Sequence, residues 1–335
     1  MKKVILTGSQ GFIGSYISQE LLNHGYKVVG IDNYSKYGLV SRPQDNHKNF
    51  TLIKHDLSKS FPFVEADYII AGAAMIGGIS YFHKHAYDLL SCNEKILCNT
   101  FDYAIRLFQS GILERVLMIS SSMVFENTSV YPTPEDQISS CPVPSSTYGF
   151  QKLSCEYFCK GAYEQYGLPY TIVRPFNCVG VGEDQALSKD TVTIGNKKLM
   201  LSHVLPDLIN KALMLKHNDN LPILGNGNQI RHYTNGKDIA RGIRLALESP
   251  NALNNDFNIS SDRATTVSEL AHIVWNRIHK CEPTLEYQDP FEYDVQIRSP
   301  SIQKAKELLG FECEISLEQS VDEVINYMKD KNVII

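Results

Sequence analysis

Residues 4–14 read Val-Ile-Leu-Thr-Gly8-Ser-Gln-Gly11-Phe12-Ile13-Gly14, and this run constrains the fold more than any other in the chain. An apolar stretch of strand type enters a glycine-rich turn. It continues into Ser-Tyr-Ile-Ser-Gln-Glu-Leu-Leu-Asn, whose apolar residues recur at helical spacing. Three glycines alone could make an ordinary loop. Set between a strand and a helix, they form a turn whose backbone N–H groups can face a pyrophosphate. The spacing is G-x-x-G-x-x-G, not the commoner G-x-G-x-x-G. A second apolar stretch, Lys27-Val-Val-Gly-Ile-Asp32, ends on an acid and is followed by Asn33. A carboxylate there accepts the two ribose hydroxyls of NAD and repels the 2′-phosphate of NADP. No arginine occurs at 33–41, so NAD is the expected cofactor.

The pattern continues through the first 176 residues. Short apolar strands near 4–8, 27–32, 50–56, 67–73, 115–121 and 169–174 alternate with helical periodicity at 12–24, 86–110 and 148–166. Such alternation predicts an α/β fold, a doubly wound parallel sheet with ligands at the carboxyl ends of its strands. After Asn177 the pattern changes. Residues 180–200 are polar and aperiodic, and are expected to form a long loop over the site. Ser202-His203-Val-Leu-Pro206 opens a helix, and Arg231-His-Tyr-Thr-Asn-Gly-Lys-Asp238 leads back to the sheet. Thr266-Val-Ser-Glu269 has the form of a capping box, and a last helix follows Ser316-Leu-Glu-Gln319. The first domain is assigned to 1–176 plus about 228–260. A smaller, discontinuous α/β domain takes about 177–227 plus 261–335.

Composition excludes several classes of function. A net charge of -5, with no run of five basic residues, argues against a nucleic-acid surface. No stretch approaches the roughly 18 apolar residues of a membrane span. The opening Met-Lys-Lys-Val-Ile-Leu stops at Thr7-Gly8, too short for a signal peptide, and reads as the first strand. The eight cysteines contain no C-x-x-C, and Cys155 and Cys159, four apart, have no nearby histidine of metal-ligand spacing. They are read as reduced thiols of a cytoplasmic protein without a metal.

Tyr148 and Lys152, in Ser-Ser-Thr-Tyr148-Gly-Phe-Gln-Lys152, share one face if the segment is a helix. A phenol is a poor base near neutrality, and a neighbouring ammonium favours its phenolate. The pair makes sense as a proton-transfer device. Glycines, tyrosine and lysine together resemble the extended short-chain dehydrogenase/reductase family, specifically its NAD-dependent sugar-nucleotide epimerases and dehydratases, over nearly the whole chain. The resemblance implies a Rossmann fold. It also places Gly8, Gly11, Phe12, Ile13, Gly14, Asp32 and Asn33 on the cofactor. His55-Asp56-Leu57 is similar to the family's adenine-contacting pair, carried by Asp56 and Leu57. Ala71-Gly-Ala73-Ala74 resembles a fourth-strand motif that normally begins with His, here Ala71. Asn93 matches the helix asparagine that supports the active-site water and lysine in relatives. Ser120-Ser121-Ser122-Met123-Val124-Phe125 matches the fifth-strand motif and puts the catalytic hydroxyl at Ser121.

The family mechanism then implies that Tyr148 takes a proton from a sugar hydroxyl while NAD takes the hydride from the same carbon. Lys152 lowers the tyrosine pKa and binds the nicotinamide ribose, and Ser121 holds the oxygen. Arg174-Pro-Phe-Asn177, Arg231-His-Tyr-Thr and Arg298-Ser-Pro-Ser-Ile match motifs that lie around the diphosphate and sugar in relatives. Asn177, Arg231 and Arg298 are placed on the diphosphate, since a guanidinium pairs two phosphate oxygens at once. His203 is placed near the base, and Ser122 and Met123 beside the sugar. Dehydratases and decarboxylases carry Glu, and 3,5-epimerases and fucose synthases Cys, where this chain has Met123. A thioether cannot move a proton, so epimerisation at C4 through a 4-keto sugar is the expected reaction. The alternatives are a dehydratase and a C3/C5-active epimerase. The Ala73-Ala74-Met75-Ile-Gly-Gly segment resembles the fucose-synthase branch, and the Arg298 segment resembles the glucuronate decarboxylases. A non-catalytic sensor or scaffold is a further alternative, disfavoured because Ser121, Tyr148 and Lys152 are all present. Relatives pair the helices matching 86–110 and 148–166 across a two-fold axis. A surplus of apolar residues there (Leu89, Leu90, Ile96, Leu97, Phe101, Tyr157, Phe158) predicts a homodimer.

Overall fold

The computed structural model describes residues 1–76, 85–183, 191–194, 197–200, 203–290 and 295–331. Its centre is a seven-stranded parallel sheet of β1 (Lys3–Thr7), β2 (Lys27–Asp32), β3 (Phe50–Lys54), β4 (Tyr68–Ala71), β5 (Arg115–Ile119), β6 (Tyr170–Pro175) and β7 (Asn255–Ile259). The order across the sheet is β7-β6-β5-β4-β1-β2-β3. The chain builds outward from β1 to β3, then crosses to β4 on the other side. The gap between β1 and β4 is therefore the switch point, where a crevice opens at the strand ends.

The short strands are nearly all apolar because both faces of the sheet are covered. Side chains alternate along a strand, so Val4 and Leu6 enter one core and Ile5 the other. The first core closes under α1 (Phe12–Asn23) and, late in the chain, α5 (Gly236–Glu248). The second closes under α2 (Ala86–Gln109) and α3 (Thr147–Tyr166), with Leu97, Phe101, Cys155 and Cys159 buried against the sheet. Each fully buried Leu or Ile contributes roughly 1.5–3 kcal/mol. Packing on two faces, more than local propensity, holds strands of four to six residues.

A third core lies apart from the sheet, among α4 (Val204–Met214), α6 (Val267–His279) and α8 (Leu317–Asp330), around the fully buried Trp275. Both expected starts carry complete capping boxes, Thr266 with Glu269 and Ser316 with Gln319. Two expectations need correction. The stretch at 180–200 is not loop throughout: Thr191–Ile194 and Lys197–Met200 pair as an antiparallel hairpin. Thr-Val-Thr-Ile is rich in β-branched residues, which fit a pleated strand better than a loop. The rest of that stretch from 184, and the Gly77-Gly78 pair, lie outside the described residues. The return to the sheet expected at 228–249 comes with helix α5, which packs on the first core, while the strand that joins the sheet is β7 and not 230–235. Ile230–Arg231 pairs with Thr265–Thr266, and Thr234–Asn235 with Cys178–Val179. In addition, α7 (Gln303–Leu309) and Phe311 join the first core, although they follow residue 260.

Candidate active site

The glycine turn forms as its spacing requires. Gly8 sits at φ +76°, in the left-handed region that favours glycine. A Cβ on Gly14 would lie 2.0 Å from the Gly8 carbonyl oxygen, so no other residue fits. Gly11 is the N-cap of α1 and provides no side-chain cap. The first N–H groups of the helix therefore face outward beside the switch point, where an anion satisfies them. Phe12 and Ile13 pack at this end of the helix. Asp32, at the end of β2, accepts the Gln10 N–H at 3.0 Å and the Tyr34 N–H at 2.8 Å. Burial pushes its carboxyl pKa up, opposed by these N–H groups and by the Arg42 guanidinium. Its oxygens retain lone pairs for ribose hydroxyls. An uncapped helix, a cradle closed to side chains and a carboxylate one strand away fit NAD.

Around this cradle, the Thr7 hydroxyl accepts the Ala73 N–H at 3.0 Å, fixing the Ala73–Ala74 segment after β4. Asp56 binds the Ser58 hydroxyl, which holds its carboxyl below the usual range. Leu57 is buried, and its carbonyl accepts from Asn99. Asn33 is exposed beside Asp32. Asn93 lies on α2. Its buried amide accepts the Met75 N–H at 2.6 Å and donates to the Met75 carbonyl at 3.0 Å. It clamps the chain leaving β4.

The chemistry-bearing residues converge from β5 and α3. Ser121 follows β5, and its Oγ accepts the Met123 N–H at 3.2 Å, capping the 3-10 turn Ser122–Phe125. Its own hydrogen stays available to donate. Lys152 is buried and donates to the Ile119 carbonyl at 2.9 Å, using one of its three N–H bonds. Tyr148, Met123 and Leu89 form one small apolar cluster. Gly149 makes that approach possible, because a Cβ there would lie 2.8 Å from the Met123 carbonyl oxygen. Ser122 is buried in the turn.

On the opposite side, Asn177 holds φ +36°, and its buried Nδ2 has no hydrogen-bond partner among the described residues. Arg231 donates to the Ile230 and Gln296 carbonyls, and the Arg298 N–H bonds the Ile230 carbonyl. The two arginine segments are thus neighbours. His203 is the N-cap of α4, with its Nδ1 3.4 Å from Glu183 Oε1. Burial, then the Lys36 charge, push its pKa down, although 46% of the side chain is exposed and solvent weakens both effects. Arg174 does not join this group. It is fully buried and bonded to Glu156 and Asp256, so only Asn177 of that motif can reach a ligand. Sequence reasoning missed Glu126, whose carboxylate accepts from both the Ser146 N–H and its hydroxyl and ties the 3-10 turn to the N-cap of α3. It also missed Glu183. A lone acid without periodic partners carries no signal along the chain.

Residues 4–260 match the sequence model of the NAD dependent epimerase/dehydratase family. The putative UDP-glucose 4-epimerase of Methanocaldococcus jannaschii is 28% identical, covering 98% of this chain and 99% of that protein. UDP-glucuronic acid decarboxylase 1 of Danio rerio is 25% identical, covering 97% of this chain and 72% of that protein. The structure of Thermotoga maritima UDP-glucose 4-epimerase with UDP-glucose superposes with a TM-score of 0.79 at 25% identity, over 98% of this chain and 99% of that one. Since the family match runs from β1 through β7 and takes in the whole glycine-to-lysine site, the chain belongs to the NAD dependent epimerase/dehydratase family.

Proposed function

We propose that the chain epimerises a nucleotide-diphosphate sugar at C4 with bound NAD. The observation that carries this reading is Met123, buried against Tyr148. Elimination and C3/C5 inversion need a second proton-transfer group beside the sugar, and a thioether at that position supplies none. NAD, when bound, accepts and returns the hydride at C4. Tyr148 takes the proton of the C4 hydroxyl and gives it back, and Ser121 donates to the same oxygen while it is a carbonyl. Lys152 keeps positive charge beside Tyr148. Asn177, His203, Arg231 and Arg298 hold the nucleotide diphosphate. The sheet with its two cores carries the cofactor, and the core around Trp275 carries the substrate. The names of the relatives make a UDP-sugar the first substrate to test.

A second reading, a decarboxylase or dehydratase, is favoured by the Danio rerio relative and by the Arg298 segment. Reaction with UDP-sugars in heavy water separates the two. Epimerisation at C4 leaves C3 and C5 free of deuterium, because the proton exchanged is on oxygen. Carbon-bound deuterium at C3 or C5 in the NMR spectrum of the product overturns the C4 reading.

For assembly, we propose a homodimer through α2 and α3. Of the apolar residues expected there, Leu89, Ile96, Leu97 and Phe101 are already buried within the chain. The support comes instead from exposed aromatics on the same two helices, Tyr87 at 79%, Tyr157 at 65% and Phe150 at 46%.

A further inference from the structure

We infer that Glu156 and Arg174 form a positioning device that holds helix α3 in register with Ser121; the inference rests on the function proposed above. Tyr148, Lys152 and Glu156 follow one another at four-residue intervals on α3, and all three are buried. The first two are the proposed proton-handling pair. The third is one turn below them and entirely inaccessible. Glu156 Oε1 accepts from the Ser120 hydroxyl at 2.7 Å and from Arg174 Nε at 2.7 Å. Its Oε2 accepts from Arg174 Nη2 at 2.7 Å. One carboxylate thus joins the catalytic helix to β6 and to the residue immediately before Ser121.

The anchor extends on both sides. Arg174 Nη2 also donates to Asp256 Oδ2 on β7 at 2.7 Å, and Lys304 donates to the other Asp256 oxygen at 2.6 Å. The guanidinium lies over the ring of Phe125, 5.0 Å from its centroid, at the end of the turn that carries Met123. The two faced carboxylates keep Arg174 charged against the cost of burial.

Stability alone does not explain this arrangement. A buried ion pair returns little more than its desolvation cost, and apolar side chains of similar volume serve a core as well or better. What an apolar contact lacks is direction. A bidentate carboxylate–guanidinium pair is fixed in distance and angle, so α3 can neither rotate nor slide against β5 and β6. Rotation would carry Tyr148 away from Ser121, although both side chains would remain in the site. The Lys152 bond to the Ile119 carbonyl ties the same two elements one turn higher, but it hangs on a flexible side chain.

The test compares two variants of the full chain with bound NAD. Glu156→Met combined with Arg174→Met replaces the pair by apolar side chains and leaves Asp256 with Lys304. Ser120→Ala removes only the hydroxyl that reaches Glu156. A positioning role predicts that kcat per folded, cofactor-loaded molecule falls about tenfold or more in the double variant, with KM within about threefold of wild type. Ser120→Ala should fall in the same direction, by less, and it decides the matter if the double variant does not fold. Wild-type kcat in the folded variants, or a change confined to Tm, overturns the inference. A wild-type chain that turns over no nucleotide sugar overturns the proposed function and this inference with it. An active wild type with undiminished variants overturns this inference alone.

Discussion

Tyr148 is buried in an apolar cluster with Met123 and Leu89, and as the proposed proton acceptor it is the most direct residue to probe. Tyr148→Phe should keep the fold and the bound NAD, because the ring still fills the cluster. Turnover should fall by at least about 10²-fold, the usual loss on removing a general base. Rates near wild type with a UDP-sugar panel would assign the proton transfer to another group. Asp32 allows a separate test, because its bonds to Gln10 and Tyr34 aim the carboxylate at the end of β2. NAD should bind more tightly than NADP, and Asp32→Ser should narrow the gap by weakening NAD. Calorimetric titration of both nucleotides decides, and tighter NADP binding to the wild type would sink the assignment. Both positions were proposed from the sequence, Asp32 from its place at the end of the second apolar stretch and Tyr148 from the lysine four residues on. Arg174 shares a motif with Asn177 but was given no ligand role, and its guanidinium is buried on Glu156 and Asp256. Its neighbours in sequence mark a ligand site, but its side chain points to the other face of the strand.

At the scale of elements, the segment 230–232 and the segment 295–301 are held side by side, and His232 is one of the ties. Its Nδ1 faces the Ser261 carbonyl at 2.8 Å and so carries the hydrogen, which leaves Nε2, 3.0 Å from Ser299 Oγ, to accept from that hydroxyl. Protonation would remove the acceptor and charge a buried ring. Burial accordingly pushes the His232 pKa below its usual value. The unfolded chain binds this proton near about pH 6.5 and the folded chain only at lower pH. The contribution to stability is therefore complete above that pH, and is lost as pH falls towards the depressed folded value. Thermal unfolding followed from about pH 7.5 to 5.5 should show a drop in Tm that His232→Gln reduces. An unchanged slope in the variant would remove His232 from the account. Capping boxes and the strand–helix alternation of the first half were visible in advance, because they are local. The hairpin at 191–200 was not anticipated, since short polar strands carry little apolar periodicity.

For the whole molecule, the outward faces of α2 and α3 are where the proposed homodimer would form. Tyr157, Phe150 and Tyr87 expose large rings on helices whose other faces are already packed on the sheet. Sedimentation at micromolar concentration should give a dimer, and Tyr157→Glu should shift it towards monomer. A wild-type monomer would refute the proposed interface. The sequence by itself determined the glycine turn, the strand–helix alternation of a parallel sheet, the Asp32 landmark and the Tyr148–Lys152 spacing. Each depends on residues a few positions apart and on one period of a helix or strand. Only the tertiary structure decided that Asn93 is spent on Met75, and that α7 and Phe311 join the first core. It alone decided that Glu156, Ser120, Arg174 and Asp256 meet beneath the site. Those contacts join residues up to 82 positions apart, and their partners are chosen by which strands become neighbours. Local spacing carries no record of that choice, because pairing is settled when the two faces of the sheet are buried together.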